Sequence, residues 1–256
     1  MTCWALRLEY DGGPFVGWQR QRSGLSVQEV LETAASRLNR GERVPSAVAG
    51  RTDAGVHADA QVAQIALAAW SGAERLGEAL NYHMKPHPVA VLAVAPAPDG
   101  WHARFSAIRR VYRYRILNRR ARPALLAGRV WHVPAPLDQD AMAEAARLLL
   151  GRHDFSSFRA AACQATSPLR TLDRLDVRRG GEMVEIVAGA RSFLHHQVRN
   201  IVGTLKLVGD GSWPVERVGA VLAARDRAAA GPTAPAAGLS LIEVAYQPDP
   251  FSPVRH

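Results

Sequence analysis

In the first part of the chain, segments with the two-residue hydrophobic period of a strand alternate with segments that have the spacing of a helix. This order restricts the folds that the chain can adopt. Apolar side chains alternate with small or polar ones from Trp4 to Tyr10, which predicts a strand that ends at the turn Asp11-Gly12-Gly13-Pro14. Ser26-Val27-Gln28-Glu29 is a capping-box sequence. It predicts a helix, because the apolar residues that follow recur at helical spacing.

The elements that follow complete a known order. Strands are predicted at 46–50, 61–67 and 89–95, and a second helix at 73–80. The resulting order is β-α-β-β-α-β, the split unit of ferredoxin-like folds. The sequence therefore predicts an α+β fold with a ferredoxin-like first half.

The segment Pro96-Ala97-Pro98-Asp99-Gly100 is the best candidate for a linker. Strand and helix patterns resume behind it and end in a strand at 239–245, so the second half resembles an elaborated version of the first. We therefore predict domains at residues 1–98 and 99–246, followed by a flexible, Pro-rich tail at 247–256.

Composition excludes several classes of protein. The chain has 256 residues, of which 48% are hydrophobic and 21% charged, so it is neither disordered nor too short for a core. Its two cysteines make no disulfide framework. No apolar run reaches the roughly 18 residues of a membrane span, and Arg7 and Glu9 interrupt the position of a signal peptide. These features predict a cytoplasmic protein with no membrane contact.

The positive charge is concentrated in one segment. No acidic residue occurs between Asp99 and Asp138, whereas nine arginines do, and these nine match the formal net charge of +9. A focused basic segment favours a polyanionic partner, most simply a nucleic acid. A solvated basic strand and loop would have the same composition, so the charge leaves both readings open.

Common motifs for metals and cofactors are missing. His195 and His196 are adjacent, and a Cys-x-x-Cys pattern does not occur. Rossmann and P-loop glycine patterns and the Gly-x-Ser-x-Gly motif do not occur either. The sequence therefore predicts no metal site and no nucleotide cofactor.

Two strings remain as candidates for chemistry. In the string from Gly50 to Ala58, small residues surround Asp53, and Arg51 could keep that carboxylate ionised. An Asp in a Gly-containing turn can also be purely structural. The string from Arg109 to Tyr114 interleaves arginines with tyrosines, as RNA-stacking surfaces do. A strand with buried tyrosines and solvated arginines is the alternative.

These strings occur together with others in an order that resembles the tRNA pseudouridine synthase A (TruA) family. The further matching strings are Glu9-Tyr10-Asp11-Gly12, Phe15-Val16-Gly17-Trp18-Gln19-Arg20-Gln21, Ser26-Val27-Gln28-Glu29, Phe105-Ser106-Ala107, His153-Asp154-Phe155-Ser156-Ser157-Phe158, Ser167-Pro168-Leu169-Arg170-Thr171, Val198-Arg199-Asn200-Ile201-Val202-Gly203 and Gly238-Leu239. The resemblance covers nearly the whole chain. The segment from Met84 to Val89 departs from the family pattern, which has a carboxylate there.

The resemblance implies two ferredoxin-like (RRM-like) halves whose antiparallel sheets join around a central basic cleft. It implies a homodimer in which one tRNA contacts both subunits. The reaction that it implies is the isomerisation of uridine to pseudouridine at positions 38, 39 and 40 of the anticodon stem-loop, with no metal or organic cofactor.

The resemblance also implies roles for individual residues. Asp53 matches the catalytic aspartate, Arg51 the arginine paired with it, and Tyr112 the active-site tyrosine on the base. Leu239 matches an apolar residue of the uracil pocket. The candidate substrate-binding residues are Tyr112, Leu239, Arg109, Arg110, Arg113 and Arg199.

Three other readings stay open at the level of sequence. A non-catalytic RNA-binding module on the same fold would tolerate the loss of Asp53. For a small-molecule enzyme of ferredoxin-like fold, the arginine segment would be incidental. A related pseudouridine synthase would act on a different RNA.

Overall fold

The computed structural model describes residues 1–67, 70 and 72–252, in which five α-helices and ten β-strands form a mixed α+β protein. The strands are β1 (Thr2–Tyr10), β2 (Ser46–Val48), β3 (His57–Leu67), β4 (Val89–Pro96), β5 (Ala107–Leu117), β6 (Trp131–His132), β7 (Gly151–Asp154), β8 (Leu169–Gly180), β9 (Met183–Ala190) and β10 (Leu239–Tyr246). The helices are α1 (Val27–Leu38), α2 (Ala73–Met84), α3 (Gln139–Arg147), α4 (Gln197–Gly209) and α5 (Arg217–Ala224). No helix in the described ranges is long and apolar enough to cross a bilayer.

The chain divides into two compact units. The first contains Met1–Arg110 and the chain from Leu241 onward, and the second contains Val111–Ser240. In the first unit the strand order is β4-β1-β3-β10, and β2 pairs with β3 beside β10. β1 pairs antiparallel with β3 and β4, and β2 pairs antiparallel with β3. Helix α2 packs against β4 and α1.

The predicted capping box begins α1. The Ser26 side chain accepts a hydrogen bond from the Glu29 backbone N–H at 3.2 Å, which satisfies one of the free donors at the helix start. Val27 and Leu31 are buried on the inner face of the helix. Local capping and apolar spacing therefore agree, and this part of the prediction is confirmed.

The departure from the family pattern follows α2. Met84, the last residue of that helix, is fully buried. One turn earlier, the Asn81 side-chain amide donates to Val91 O at 2.9 Å, and its oxygen accepts from Val91 N at 2.7 Å. This pair of bonds fixes α2 to β4, the strand that follows the departure.

The boundary between the units lies further along the chain than the predicted boundary at residues 98 and 99. The segment after the linker packs into the first unit, where Ala107 belongs to a core cluster that includes Tyr246 and Trp101 packs against that cluster. The Tyr246 hydroxyl donates to Ala103 O at 2.7 Å. These long-range contacts explain why residues up to Arg110, and the strand β10 beyond Ser240, belong to the first unit.

Part of the predicted tail also contacts the first unit. The Arg7 guanidinium lies 4.5 Å from the centre of the Phe251 ring and 3.8 Å from the Asp249 carboxylate. Phe251 packs against the cluster that contains Tyr246. Residues 247–252 therefore have defined contacts, and residues 253–256 lie outside the described residues.

The second unit has the strand order β5-β9-β8-β7, and β6 pairs in parallel with β5. β8 pairs antiparallel with β7 and β9. Helix α3 packs on β8 and α4, and ten of the thirteen residues of α4 are buried, so α4 is the central helix of this unit. The sequence pattern predicts a helix at 193–208, but α4 begins at Gln197. His196 has a left-handed backbone (φ 61°), which a right-handed helix cannot contain.

Candidate active site

Asp53 lies in the loop between β2 and β3, where it is half-buried, and Arg51 of the same loop is exposed. The loop is short, and its backbone is hydrogen-bonded at two positions. Thr52 O accepts from Trp18 N at 3.0 Å, and Gly55 N donates to Phe15 O at 3.3 Å. Its backbone is therefore held by a second segment of the chain, residues 15–18.

This second segment is in turn fixed to the start of α1. Gly17 O accepts from Val27 N at 3.2 Å, and Trp18 O accepts from Gln28 N at 3.0 Å. Carbonyls of the segment thereby satisfy N–H groups of the first helical turn, which have no acceptor inside the helix. The position of the Asp53 loop thus depends on the capped end of α1.

A buried hydrogen-bond network supports the loop from below. The Tyr10 hydroxyl lies 2.8 Å from Thr52 Oγ1, and Gln61 Nε2 donates to it at 3.2 Å and to Gly50 O at 2.8 Å. Burial raises the pKa of Tyr10 to about 12, so the phenol is protonated at neutral pH. It can therefore donate to Thr52 while accepting from Gln61.

Removal of this hydroxyl should loosen the loop. We expect Tyr10→Phe to lower the free energy of unfolding by about 1–2 kcal/mol, because Thr52 and Gln61 lose a buried partner. Urea denaturation followed by circular dichroism measures the change. Tyr82→Phe is the matched control, since Tyr82 is 70% exposed and should change little. Equal stabilities for the two variants would contradict the role of the network.

Tyr112 lies on β5 in the second unit and is buried. Its ring meets that of Phe193 edge to face, with the centroids 5.2 Å apart and the planes at 88°. This is a favourable arrangement of two aromatic rings, and it fixes the orientation of the Tyr112 side chain. The contact involves a residue that periodicity assigned to a helix and not to the site.

Leu239 and Arg199 are linked through the segment that precedes β10. Leu239 is buried and is the first residue of that strand. Arg199 of α4 donates from Nε to Ala234 O at 2.7 Å, and Ala234 N donates to Arg199 O at 3.1 Å. The Tyr114 hydroxyl holds the same segment through Pro235 O at 2.7 Å. In this structure Arg199 therefore holds the segment that leads into Leu239.

The arginines at the start of β5 occupy different environments. Arg109 is about half exposed and forms an ion pair with Glu243 at 2.7 Å. Arg110 is buried, and its guanidinium donates to the backbone carbonyls of Ala49, Arg104 and Ala107. Arg113 is partly buried. The expected row of solvated arginines is thus not uniform, because the carbonyl of the distant Ala49 and those of the nearby Arg104 and Ala107 surround the Arg110 guanidinium.

The structure therefore places the candidate residues in two groups. Arg51, Asp53, Arg109 and Arg110 belong to the first unit, and Tyr112, Arg113, Arg199 and Leu239 belong to the second. Sequence reasoning missed the supporting residues. Tyr10 and Gln61 lie in predicted strands, and nothing local indicates that their side chains meet under the loop.

Comparison with known proteins agrees with the motifs. Residues 145–247 match the family model described as tRNA pseudouridine synthase. Over 252 residues, the chain is 70% identical to the tRNA pseudouridine synthase A of Acidiphilium cryptum (strain JF-5), covering 98% of this chain and 99% of that protein. The protein of the same name from Rhodospirillum centenum (strain ATCC 51521 / SW) is 62% identical over 96% of this chain and its own full length. The corresponding protein of Gluconobacter oxydans (strain 621H) is 55% identical over 97% of this chain and 91% of its own. Identity of this extent shows that the chain belongs to the tRNA pseudouridine synthase A family.

Proposed function

We propose that this tRNA pseudouridine synthase acts on uridines 38, 39 and 40 of the anticodon stem-loop, with Asp53 as its catalytic carboxylate. The observation that supports the assignment is the position of Asp53 on a fixed loop. It is half-buried on a loop whose neighbours Thr52 and Gly55 are hydrogen-bonded to the segment at residues 15–18. A carboxylate on a loop that is fixed by such hydrogen bonds can be held in one place against a bound ribose.

The reaction rearranges bonds within one nucleotide. The N1–C1′ bond breaks, the uracil turns, a C5–C1′ bond forms, and the proton on C5 is lost while N1 gains one. The Asp53 carboxylate can attack C1′ to form an ester, which the uracil C5 then displaces. It can instead take a proton from C2′ to give a glycal, and return it when the new bond forms. Both routes require an ionised carboxylate beside the sugar.

The base requires a separate site, which we assign to Tyr112 and Leu239. A uridine stacked in the anticodon arm must leave the stack before the enzyme can reach C1′. The Tyr112 ring, oriented by Phe193, can stack on the extruded uracil, and Leu239 supplies an apolar wall. The Tyr112 hydroxyl is the candidate group for removing the proton on C5.

The arginines have divided tasks in this proposal. Arg109 and Arg113 bind phosphates, and Arg51 is the arginine that pairs with Asp53. Arg110 and Arg199 act on substrate through the loops that they hold, because their guanidinium groups donate to backbone carbonyls. We also propose that the family arrangement applies here: two ferredoxin-like halves around a basic cleft, and a cytoplasmic homodimer that binds one tRNA across both subunits.

The position of the reaction can be tested directly. Transcripts carry uridine tritiated at C5 at position 38, 39 or 40, with other pyrimidines unlabelled, and tritium release reports the loss of the C5 hydrogen. We expect release from all three transcripts. A transcript labelled only in the T loop is the control and should release none. Release from the control alone would assign the enzyme to a different RNA site.

A change at Tyr112 separates its two roles. Tyr112→Phe keeps the ring and its contact with Phe193 but removes the hydroxyl. If the hydroxyl removes the C5 proton, we expect single-turnover pseudouridine formation to fall by about 100-fold, with an enzyme-bound intermediate accumulating. Tyr112→Ala is the companion variant, because it also loses stacking. Near-normal activity in Tyr112→Phe, together with inactivity in Tyr112→Ala, would leave stacking as the only role.

A further inference from the structure

A small basic cavity of about 220 Å³ opens in the second unit, beside β7, β8 and the end of β9. Its lining residues are Arg152, Leu169, Arg170, Thr171, Arg191 and Ser192. Three of these side chains are guanidinium groups and two are hydroxyls. Among the described residues that line it there is no carboxylate, so positive charge is gathered here without an acidic neighbour in the wall.

The register of the strands explains how the cavity forms. Arg152 of β7 lies opposite Thr171 of β8, and residues directly opposite in an antiparallel pair project from the same face. Leu172 lies opposite Ala190, the last residue of β9, so Arg191 and Ser192 follow immediately beyond that pair. The register therefore accounts for Arg152, Thr171 and the nearby Arg191, whereas Arg170, which lies opposite His153 and alternates with Thr171, joins the lining at the start of β8.

Arg170, the second residue of β8, is held in the wall by carbonyls at the start of that strand. Its Nη1 donates to Ser167 O at 3.0 Å and to Leu169 O at 2.6 Å. Its Nε is buried and has no acceptor within the part of the chain that the structure describes. Burial lowers the pKa of Arg170, Cys163 opposes this shift, and the positive charge of Arg159 adds to it. Burial of this charged guanidinium carries a desolvation penalty, which a bound anion would offset.

Size and donor chemistry define the anion. A volume of about 220 Å³ is below the roughly 300–1,000 Å³ typical of pockets for whole small molecules, so a nucleotide would not be enclosed. A single phosphate group suits the space, and planar guanidinium groups with hydroxyls are suitable donors for its oxygens. The substrate of this family is tRNA, which carries such a group at every nucleotide.

We infer that this cavity, lined by Arg152, Arg170 and Arg191, binds one backbone phosphate of the tRNA. The inference rests on tRNA as the substrate and does not depend on which uridine is isomerised or on the role of Asp53. A contact of this kind orients the tRNA and carries no base specificity.

The test measures equilibrium binding of an unmodified tRNA transcript over a range of KCl concentrations. We expect Arg152→Ala and Arg170→Ala each to weaken binding about five-fold at 0.15 M salt, and to reduce the slope of log K against log[salt] by about 0.7–0.9. Arg178→Ala is the matched control. Arg178 lies on β8 with a side chain that is 76% exposed, and its loss should change affinity less than two-fold.

Each alternative outcome decides the question. Unchanged tRNA affinity in both variants, or an equal loss in Arg178→Ala, would overturn the inference. So would saturable binding of inorganic phosphate that the variants lose while tRNA affinity stays constant, because the cavity would then be a site for free phosphate. Arg152 is exposed on β7, so its variant remains informative if Arg170→Ala disturbs the start of β8. Because binding needs no turnover, a failure to modify positions 38–40 would leave this result intact.

Discussion

Replacement of Asp53 by Asn is expected to lower single-turnover pseudouridine formation by at least about a thousand-fold, while tRNA affinity stays within a few-fold of the wild type. Asn keeps the size of the side chain and removes the negative charge. Neither attack on C1′ nor proton abstraction from C2′ is then available. Affinity persists because phosphate contacts dominate tRNA binding and Asn adds no repulsion.

The fold of the variant should be unaffected at the backbone. Val56 N donates to the main-chain oxygen of residue 53 at 3.1 Å, and Asn retains that oxygen. Asp99→Asn is the matched control, because Asp99 is exposed in a turn of the first unit and the charge change is the same. We expect the control to retain full turnover. Full activity in Asp53→Asn would require another carboxylate to carry the reaction.

The second large effect is expected at Gly17, far in sequence from Asp53 but in contact with its loop. Gly17 has φ +106°, and a Cβ there would lie 2.7 Å from Thr52 O and 3.1 Å from Ala54 N. Gly17→Ala therefore combines backbone strain of about 1–3 kcal/mol with a clash against main-chain atoms that cannot rotate away. We expect a total loss of about 3–5 kcal/mol in the free energy of unfolding. We also expect at least about a ten-fold loss of turnover, because the Asp53 loop must shift.

Gly41→Ala separates the two causes. Gly41 also has a positive φ, +86°, but nothing lies within 4 Å of the position that a Cβ would take. This variant should show backbone strain alone, about 1–2 kcal/mol, with normal turnover. Chemical denaturation and single-turnover assays on both proteins provide the comparison. If Gly17→Ala behaved like Gly41→Ala, the contact with Thr52 would not position the catalytic loop.

Local patterns predicted the elements whose stability is local. The alternation before Tyr10 and the cap at Ser26 correspond to β1 and α1, because period and capping depend on neighbouring residues. The extent of the first unit depends instead on contacts such as that between Tyr246 and Ala103, which no local pattern contains. The start of α4 depends on the backbone angle at His196, which hydrophobic spacing does not reveal.

The same distinction applies to the site. The motif around Asp53 was visible in the sequence because its small residues and charges are contiguous. The support of that loop by Tyr10 and Gln61 was not visible, since it arises only when β1 and β3 pair. Arg110 is a case in which the sequence pattern is misleading. Its position in a basic string suggests phosphate binding, whereas the folded chain surrounds its guanidinium with carbonyl oxygens.

The most direct measurement is carbodiimide mapping of pseudouridine across a complete unmodified tRNA transcript. The transcript is treated with excess wild-type enzyme and, in parallel, with Asp53→Asn. The proposed function predicts modification at 38, 39 and 40 wherever these nucleotides are uridines, and none with the variant. Modification outside the anticodon arm, or an unchanged pattern with Asp53→Asn, would contradict it.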